Sequence, residues 1–542
     1  MEKKKRLGRQ LGFLSTVLAS SLAVGTIVSS CSGVAWKSTV QLQVADVGSI
    51  LADQSFSESA YNGLREFYMK DCGIEYVPEA NSSDLSEGNG LWKRPGEGNA
   101  ARIASYENIK NDGSNIVLAT AFTHETALQM LTSDSFSADK EKLKDTGFIF
   151  VDGAMKTEWK DGETTYKSNP TNIASISYRA DEGSFLTGLA TAVYLNENHS
   201  LFANGTTDST IGVSAYVGYA IEPTLSFFNG FRQGLMYWNT IADKIELDDG
   251  KAAFKMKWIS PGNNYEISQF SSDSFAPNNE KASVLTTNMI NNGAKAIMPI
   301  AGPQTKLSVN RVAQLQKPVS IIGVDTEQEN ISDLKKELPG DSTKNIIPFS
   351  SLKEISYSTH QVLKAIKTGQ ASNGYNGFGW NNIADLNNNG VGVSKAGYSY
   401  LIDPLFFAEN PNGSDTGKIS PTNTNADKTE TYDLSSATTT TKWKLKDLKR
   451  GSDSTQYEKI YANFKKLLAG TTLIKTNGQA SATNWKIVGD ELTKTLDSTN
   501  FPVISGNAKY TIEGAFGGTE SKQIATGSLL DGTKWTYRLE RA

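Results

Sequence analysis

Short continuous apolar runs alternate with helix-length patterns some nine times between Val40 and Lys367, and this alternation restricts the fold more than any other feature. Residues 116–121 (IVLATA), 148–151 (FIFV) and 319–324 (VSIIGV) are apolar throughout rather than at every second position. That is the pattern of strands covered on both faces. Between such runs, apolar residues recur at helical spacing, as at Ala60, Leu64 and Phe67. Residues 184–195 carry Gly188, Ala190 and Ala192 on one face, which lets a helix lie close to its neighbour, and Gly293 stands where residues 279–292 need a helix stop. The order predicts an α/β fold with parallel sheets covered by helices. So many strands fit two lobes with a cleft better than one sheet.

In such folds ligands gather at the carboxyl ends of the strands. The residues standing there are Asp46, Asp53, Phe56, Phe122, Gly302 and Asp325. Residues 44–64 (VADVGSILADQSFSESAYNGL) place Phe56 in an otherwise polar loop opening a helix. A phenylalanine there packs on something flat, either the protein itself or a ligand ring. Asp and Gly at strand ends are also ordinary turn residues. As a set, carboxylates that accept from hydroxyls and aromatics that stack suit a neutral solute bearing hydroxyls and a ring. No arginine cluster marks these loops, so an anion is not expected.

Three histidines are few for an enzyme of 542 residues. His124-Glu125 has Leu128 where a zinc-protease helix needs its second histidine, and neither a GxSxG elbow nor a phosphate-binding GxxxxGK[ST] loop occurs. Asp385, Asn387, Asn389 and Gly390 copy half an EF-hand loop, but Ala396 occupies the twelfth position, so a polar turn is expected there. Neither a metal nor a cofactor is expected.

The first thirty residues carry a local charge of +4, which leaves −8 on the remainder. That balance argues against a nucleic-acid partner. A basic start (MEKKKRLGRQ), an apolar stretch over residues 11–28 and the sequence Val28-Ser29-Ser30-Cys31 resemble a bacterial lipobox. Residues 1–30 then form a lipoprotein signal peptide, Cys31 the lipidated first residue, and 31–39 a tether. The chain is expected on the outer face of the cell membrane. An uncleaved span is the alternative, weakened by seven Ser and Thr between residues 15 and 30. Cys72 is the other cysteine, so the mature chain is expected to form no internal disulfide.

Residues 404–455 are rich in Ser, Thr and Asn and read as an insertion or linker. Residues 456–542 are expected to hold a closing helix around Ile460, Tyr461, Phe464, Leu467 and Leu468, then an extension with β-like pieces and no assignable fold.

Residues 40–395 resemble the basic membrane protein (BMP) lipoproteins, the group containing the PnrA-like purine-nucleoside receptors of ABC importers. The resemblance lies in DVGSILADQSFSESAYNGL, YRADEGSFLTGLATAVYL, IGVSAYVGYAIEPTLSFFNGFRQGL, NNGAKAIMPIAGP, IIGVDTEQ and FSSLKEISYSTHQVLKAIKTG, in family order. It implies a two-lobed type I periplasmic-binding fold over residues 40–403, a purine nucleoside held between the lobes, ABC permease subunits as partners, and no enzymatic activity. Phe56 and Phe227 would stack on the two faces of the base, Asp325 would accept from the ribose hydroxyls, and Lys353 would donate to the sugar. Asp46 and Gly302 would shape the cleft. Ser57 stands where the family usually has Asn, Gly302-Pro303-Gln304-Thr305 replaces a glycine-rich turn, and Phe122-Thr123-His124 stands where a polar base-reading residue is usual. Lys353 also reads as a surface lysine, and Phe227 as core beside Phe228 and Phe231. A surface adhesin or interaction module on the same fold is the competing function.

Overall fold

The computed structural model describes residues 35–46, 49–203, 209–403, 430–433, 443–448, 450–451, 454–468, 472–476, 479–481, 499–502, 504–505 and 521–542. The expectations for the leader, for Cys31, for most of the 404–455 segment and for much of the tail lie outside the described residues.

The first lobe is built on a seven-stranded sheet. Its order is Lys522–Gln523, Trp380–Ala384, Ile173–Tyr178, Gly147–Val151, Ile116–Thr120, Val40–Gln43 and Trp92–Lys93. All pairs are parallel except that of Lys522–Gln523 with Trp380–Ala384. Ile116–Thr120 and Gly147–Val151 are buried at every position, as their unbroken apolar sequence predicts.

The second lobe carries Lys255–Trp258, Thr210–Val217, Ala294–Ile300 and Ser320–Ile321 in parallel order. Backbone bonds from Ile322 to Ile297 and from Gly323 to Phe349 carry this sheet on into Gly323–Asp325 and Ser350–Lys353, with Val391–Val393 antiparallel at its edge. Two mostly parallel, helix-covered sheets make this the two-lobed type I solute-binding fold.

Helices Ala180–Glu197 and Glu222–Ile241 of the second lobe meet backbone to backbone. A Cβ on Gly188 would lie 2.2 Å from the Phe231 carbonyl oxygen, and one on Gly234 would lie 2.0 Å from that of Phe185. Of the small residues read from the sequence, Gly188 lies in this contact.

Within the described residues, three passages of the chain between the lobes can be followed. It crosses at Arg179 from Ile173–Tyr178 into helix Ala180–Glu197, and at Glu354 from Ser350–Lys353 into helix Ile355–Thr368. The third passage is the turn from Trp380–Ala384 to Val391–Val393. The Arg179 amide donates to Ala384 and the Glu354 amide to Gly390, which ties the crossings together. The third crossing is the half-EF-hand stretch, and the expected polar turn is what forms: Asp385 Oδ1 accepts from the amides of Asn387 and Asn388. Helix Ser454–Leu468 covers this region, with the Tyr461 hydroxyl donating to the Val391 carbonyl.

The last residues return to the first lobe rather than forming a unit of their own. Leu539–Arg541 pairs antiparallel with Trp36–Ser38, and Trp535 and Tyr537 pack edge-on against Phe378 and Phe67. Deleting residues 521–542 strips the partners from two strands and uncovers these rings. The expected result is a melting temperature lower by about 5–10 °C in a calorimetric scan; an unchanged melt would show that the segment is dispensable.

Candidate functional site

Three non-glycine residues at strand ends take left-handed backbone: Ala121 (φ 75°) after Ile116–Thr120, Asp152 (φ 73°) after Gly147–Val151, and Asp325 (φ 65°) closing Gly323–Asp325. Strain of this kind persists where the surrounding fold enforces it, and it concentrates at binding sites. Asp152 and Asp325 make side-chain contacts from one lobe to the other.

Lys353 sits at the centre. Although it stands beside a crossing, it is only 4% exposed, so the surface-lysine alternative does not hold. Its ammonium is 2.8 Å from Asp152 Oδ1, an ion pair from the second lobe to the first. Around it stand Phe56, Tyr178 and Phe227, with the ammonium 5.0, 5.5 and 5.1 Å from the ring centres. Aromatic faces attract a cation at this range. Phe227 and Phe228 diverge as neighbours on a helix must. Both are buried in the core; Phe228 packs against Trp258 and Phe270, and Phe227 also lies beside the Lys353 ammonium.

Asp325 is buried, and its Oδ2 lies 3.4 Å from the Ser55 hydroxyl of the other lobe. Burial pushes its carboxyl up to about 6, with Lys353 pulling in the opposite direction. Gly302 makes the approach possible: a Cβ there would stand 2.6 Å from Ser55 Oγ and 3.4 Å from Asp325 Oδ2.

Asp53 builds the loop that presents Phe56. Its carboxylate accepts from the amides of Ser55, Ser57 and Glu58 at 2.9–3.1 Å, at the start of helix Phe56–Asp71. These bonds hold its charge, while burial pushes its pKa up. Ser57 is fully buried beneath the same loop. Asp46 lies outside the Lys353 cluster; its side chain is 56% exposed and 3.8 Å from Arg102.

Phe122 meets Phe275 of the second lobe at 6.0 Å between ring centres. Its neighbours turn inward. Thr123 Oγ1 donates to the Ala45 carbonyl. His124 is fully buried between the Tyr106 hydroxyl and the Val44 carbonyl, and burial lowers its pKa to about 3, so it remains neutral.

Phe56, Phe227, Asp325, Gly302 and Lys353 thus come together, joined by Ser55, Asp152 and Tyr178. Sequence reasoning passed over these three. The signal available for Asp152 was the Asp-Gly after FIFV, which matches the other strand ends. Among the described residues no group of three or more His, Cys, Asp or Glu is placed to hold a metal ion. The site offers buried acceptors, one ammonium donor and flanking rings, a set suited to binding a polyol joined to a flat ring.

A family model for ABC transporter substrate-binding proteins, PnrA-like (Bmp), matches residues 39–248. An uncharacterized lipoprotein of Mycoplasma genitalium is 38% identical over an alignment of 577 residues that covers 96% of each chain. Its homolog in Mycoplasma pneumoniae is 38% identical over 524 residues, covering 88% of this chain and 78% of that one. Among solved structures, an ABC transporter solute-binding protein of Aeropyrum pernix K1 aligns with a TM-score of 0.43 at 18% identity, covering 68% of this chain and 79% of its own. A carbohydrate transporter solute-binding protein of Chloroflexus aurantiacus, in complex with D-glucose, aligns at 0.36 and 12% identity, covering 66% and 92%.

Proposed function

The chain belongs to the Bmp family of PnrA-like ABC transporter substrate-binding proteins, and from that membership we propose that it captures nucleosides outside the cell and delivers them to an ABC importer. Members of this family bind solutes and do not transform them. The observation that carries the nucleoside reading is the meeting, between the lobes, of Asp325 and Lys353 with the rings of Phe56 and Phe227. Asp325 accepts from the ribose hydroxyls, Lys353 donates to the sugar, and the two rings sandwich the base. Gly302 lets Ser55 and Asp325 approach across the cleft, and Asp53 and Ser57 hold the Phe56 loop in register. Closure about the three crossings commits the solute, and opening releases it to the permease.

The chain is held to the membrane by lipid on Cys31. Two relatives named as lipoproteins support this. The test is calorimetric titration with adenosine. Saturable one-to-one binding with the nucleoside recovered unchanged is expected; absence of heat with every nucleoside would overturn the reading.

A further inference from the structure

We infer that Asp152 is a positioning residue for the sugar: from the first lobe it holds the Lys353 ammonium off Asp325, so that with the lobes together Lys353 donates while Asp325 still accepts. This rests on the nucleoside reading and concerns a residue that acts through Lys353.

The backbone fixes Asp152 first. It follows Gly147–Val151 in left-handed conformation (φ 73°). Its amide and that of Gly153 both donate to the Ile176 carbonyl, at 2.8 and 3.0 Å. Gly153 admits this turn, since a Cβ there would lie 2.3 Å from the Phe150 ring. The carboxylate held in this way is buried, and among the described residues Lys353 is the one cation that pairs with it.

A lysine needs such a partner. Its stem is flexible and its ammonium is a point charge without a preferred direction. Lys353 stands in the field of two carboxylates: it draws the Asp325 carboxyl down against burial, while Asp152 pushes the same group up. Yet among the described residues no hydrogen bond joins Lys353 to Asp325, and the ammonium's ion pair is the 2.8 Å bond to Asp152. The rings of Phe56, Tyr178 and Phe227 enclose it on other sides. Tyr178 is fixed in turn, its hydroxyl meeting that of Ser358 at 2.6 Å. Without the Asp152 charge, the ammonium turns to Asp325, and a carboxylate paired in that way has fewer lone pairs left for hydroxyls. With it, one N–H goes to Asp152 and the others remain for the sugar. Lys353 and Asp325 both belong to the second lobe, so Asp152 is also what makes this donor and acceptor set depend on closure. When the lobes part, the pair breaks and Lys353 is released.

The full chain is titrated with adenosine as wild type, Asp152→Asn, Lys353→Met and the double variant, with a melting scan of each. Asn suits the left-handed backbone, so the change is confined to the charge. Each single change is expected to weaken binding by about tenfold or more. The double variant is expected to bind within about threefold of Lys353→Met, because Asp152 has nothing to position once the ammonium is gone. A residue that only supported the fold would lower affinity by the same factor in both backgrounds. A loss smaller than about tenfold in either single variant, or a double variant weaker than Lys353→Met by more than about threefold, overturns the inference and leaves the nucleoside reading intact. A wild type that binds no nucleoside overturns the nucleoside reading itself. Should Asp152→Asn lose its cooperative melt, Asp152→Gly takes the same backbone without the carboxylate, with the same expected and contrary results.

Discussion

Asp325→Asn is expected to weaken nucleoside binding by about a hundredfold or more and, in the same protein, to raise the stability of the empty receptor. Both effects come from burying a carboxylate whose desolvation outweighs the attraction of Lys353 and the Ser55 bond. Burial lifts the Asp325 carboxyl to about 6, against an ordinary value of 3.8. The folded state therefore holds this proton more tightly than the unfolded chain does. The resulting cost is absent below about pH 4, grows as pH rises through 6 and is fully present at neutral pH. Asn removes it, for a gain of about 1–3 kcal/mol. Asn also tolerates the left-handed backbone at this position, so no strain is added. The ribose, however, loses an ionised acceptor, and amide N–H groups now face its hydroxyls. Charge-assisted bonds of this kind are worth about 1.5–3 kcal/mol each, so affinity should fall about a hundredfold or more. In the wild type, affinity should decline as pH drops through 6. Glu354, at the second crossing, is pushed to about 7 by burial and by Glu327, and it adds to the pH dependence of stability with the same sign. A less stable Asp325→Asn variant, or one that binds adenosine within about tenfold of the wild type, would contradict the assignment.

The second large effect concerns the fold that carries the site. Gly234→Val should prevent the second lobe from folding. A Cβ at Gly234 would lie 2.0 Å from the Phe185 carbonyl oxygen and 2.9 Å from the Leu189 nitrogen, while one at Gly230 would lie 2.2 Å from the Asp181 carbonyl oxygen. These contacts are with backbone, so no rotamer change relieves them, and the helices must separate. Overpacking by a few methyl groups already costs about 1–3 kcal/mol; forcing apart two helices in backbone contact should exceed about 4 kcal/mol. Gly377→Ala is the control, because its nearest neighbour, Ile366, lies at an ordinary 3.4 Å. Circular dichroism with a thermal scan should show a cooperative melt for the control and none for Gly234→Val. A native-like melt for Gly234→Val would mean the helices are not packed this closely.

The alternation of apolar runs and helical patterns was legible because strands buried on both faces have no polar positions to spare. Trp380–Ala384 escaped notice for the opposite reason. It is an inner strand of the first lobe, yet it reads WNNIA, because Asn382 donates to the carbonyls of Ser175 and Asn376 and Asn381 bonds to Met155. Side chains that bond backbone can occupy a sheet interior without leaving an apolar signature. Residues 521–542 were obscure because their partners, Trp36–Ser38 and Trp380–Asn381, lie far away in sequence. At the site, strand-end positions could be read from the sequence, but the burial of a residue there could not. Lys353 reads equally as a surface lysine or a buried one, and only the Asp152 pair and the three rings distinguish them. Asp53 shows the converse: a strand-end carboxylate whose bonds go to the loop's own backbone.

The central claim is that the sugar of a nucleoside is read by Asp325 between the lobes. The most direct measurement is calorimetric titration of the wild-type chain with adenosine and with 2′,3′-dideoxyadenosine, which share a base and differ only in the hydroxyls assigned to Asp325 in the proposal. Binding of adenosine about a hundredfold or more tighter is predicted. Equal affinities would contradict the account, because the ligand would then be held by its base alone.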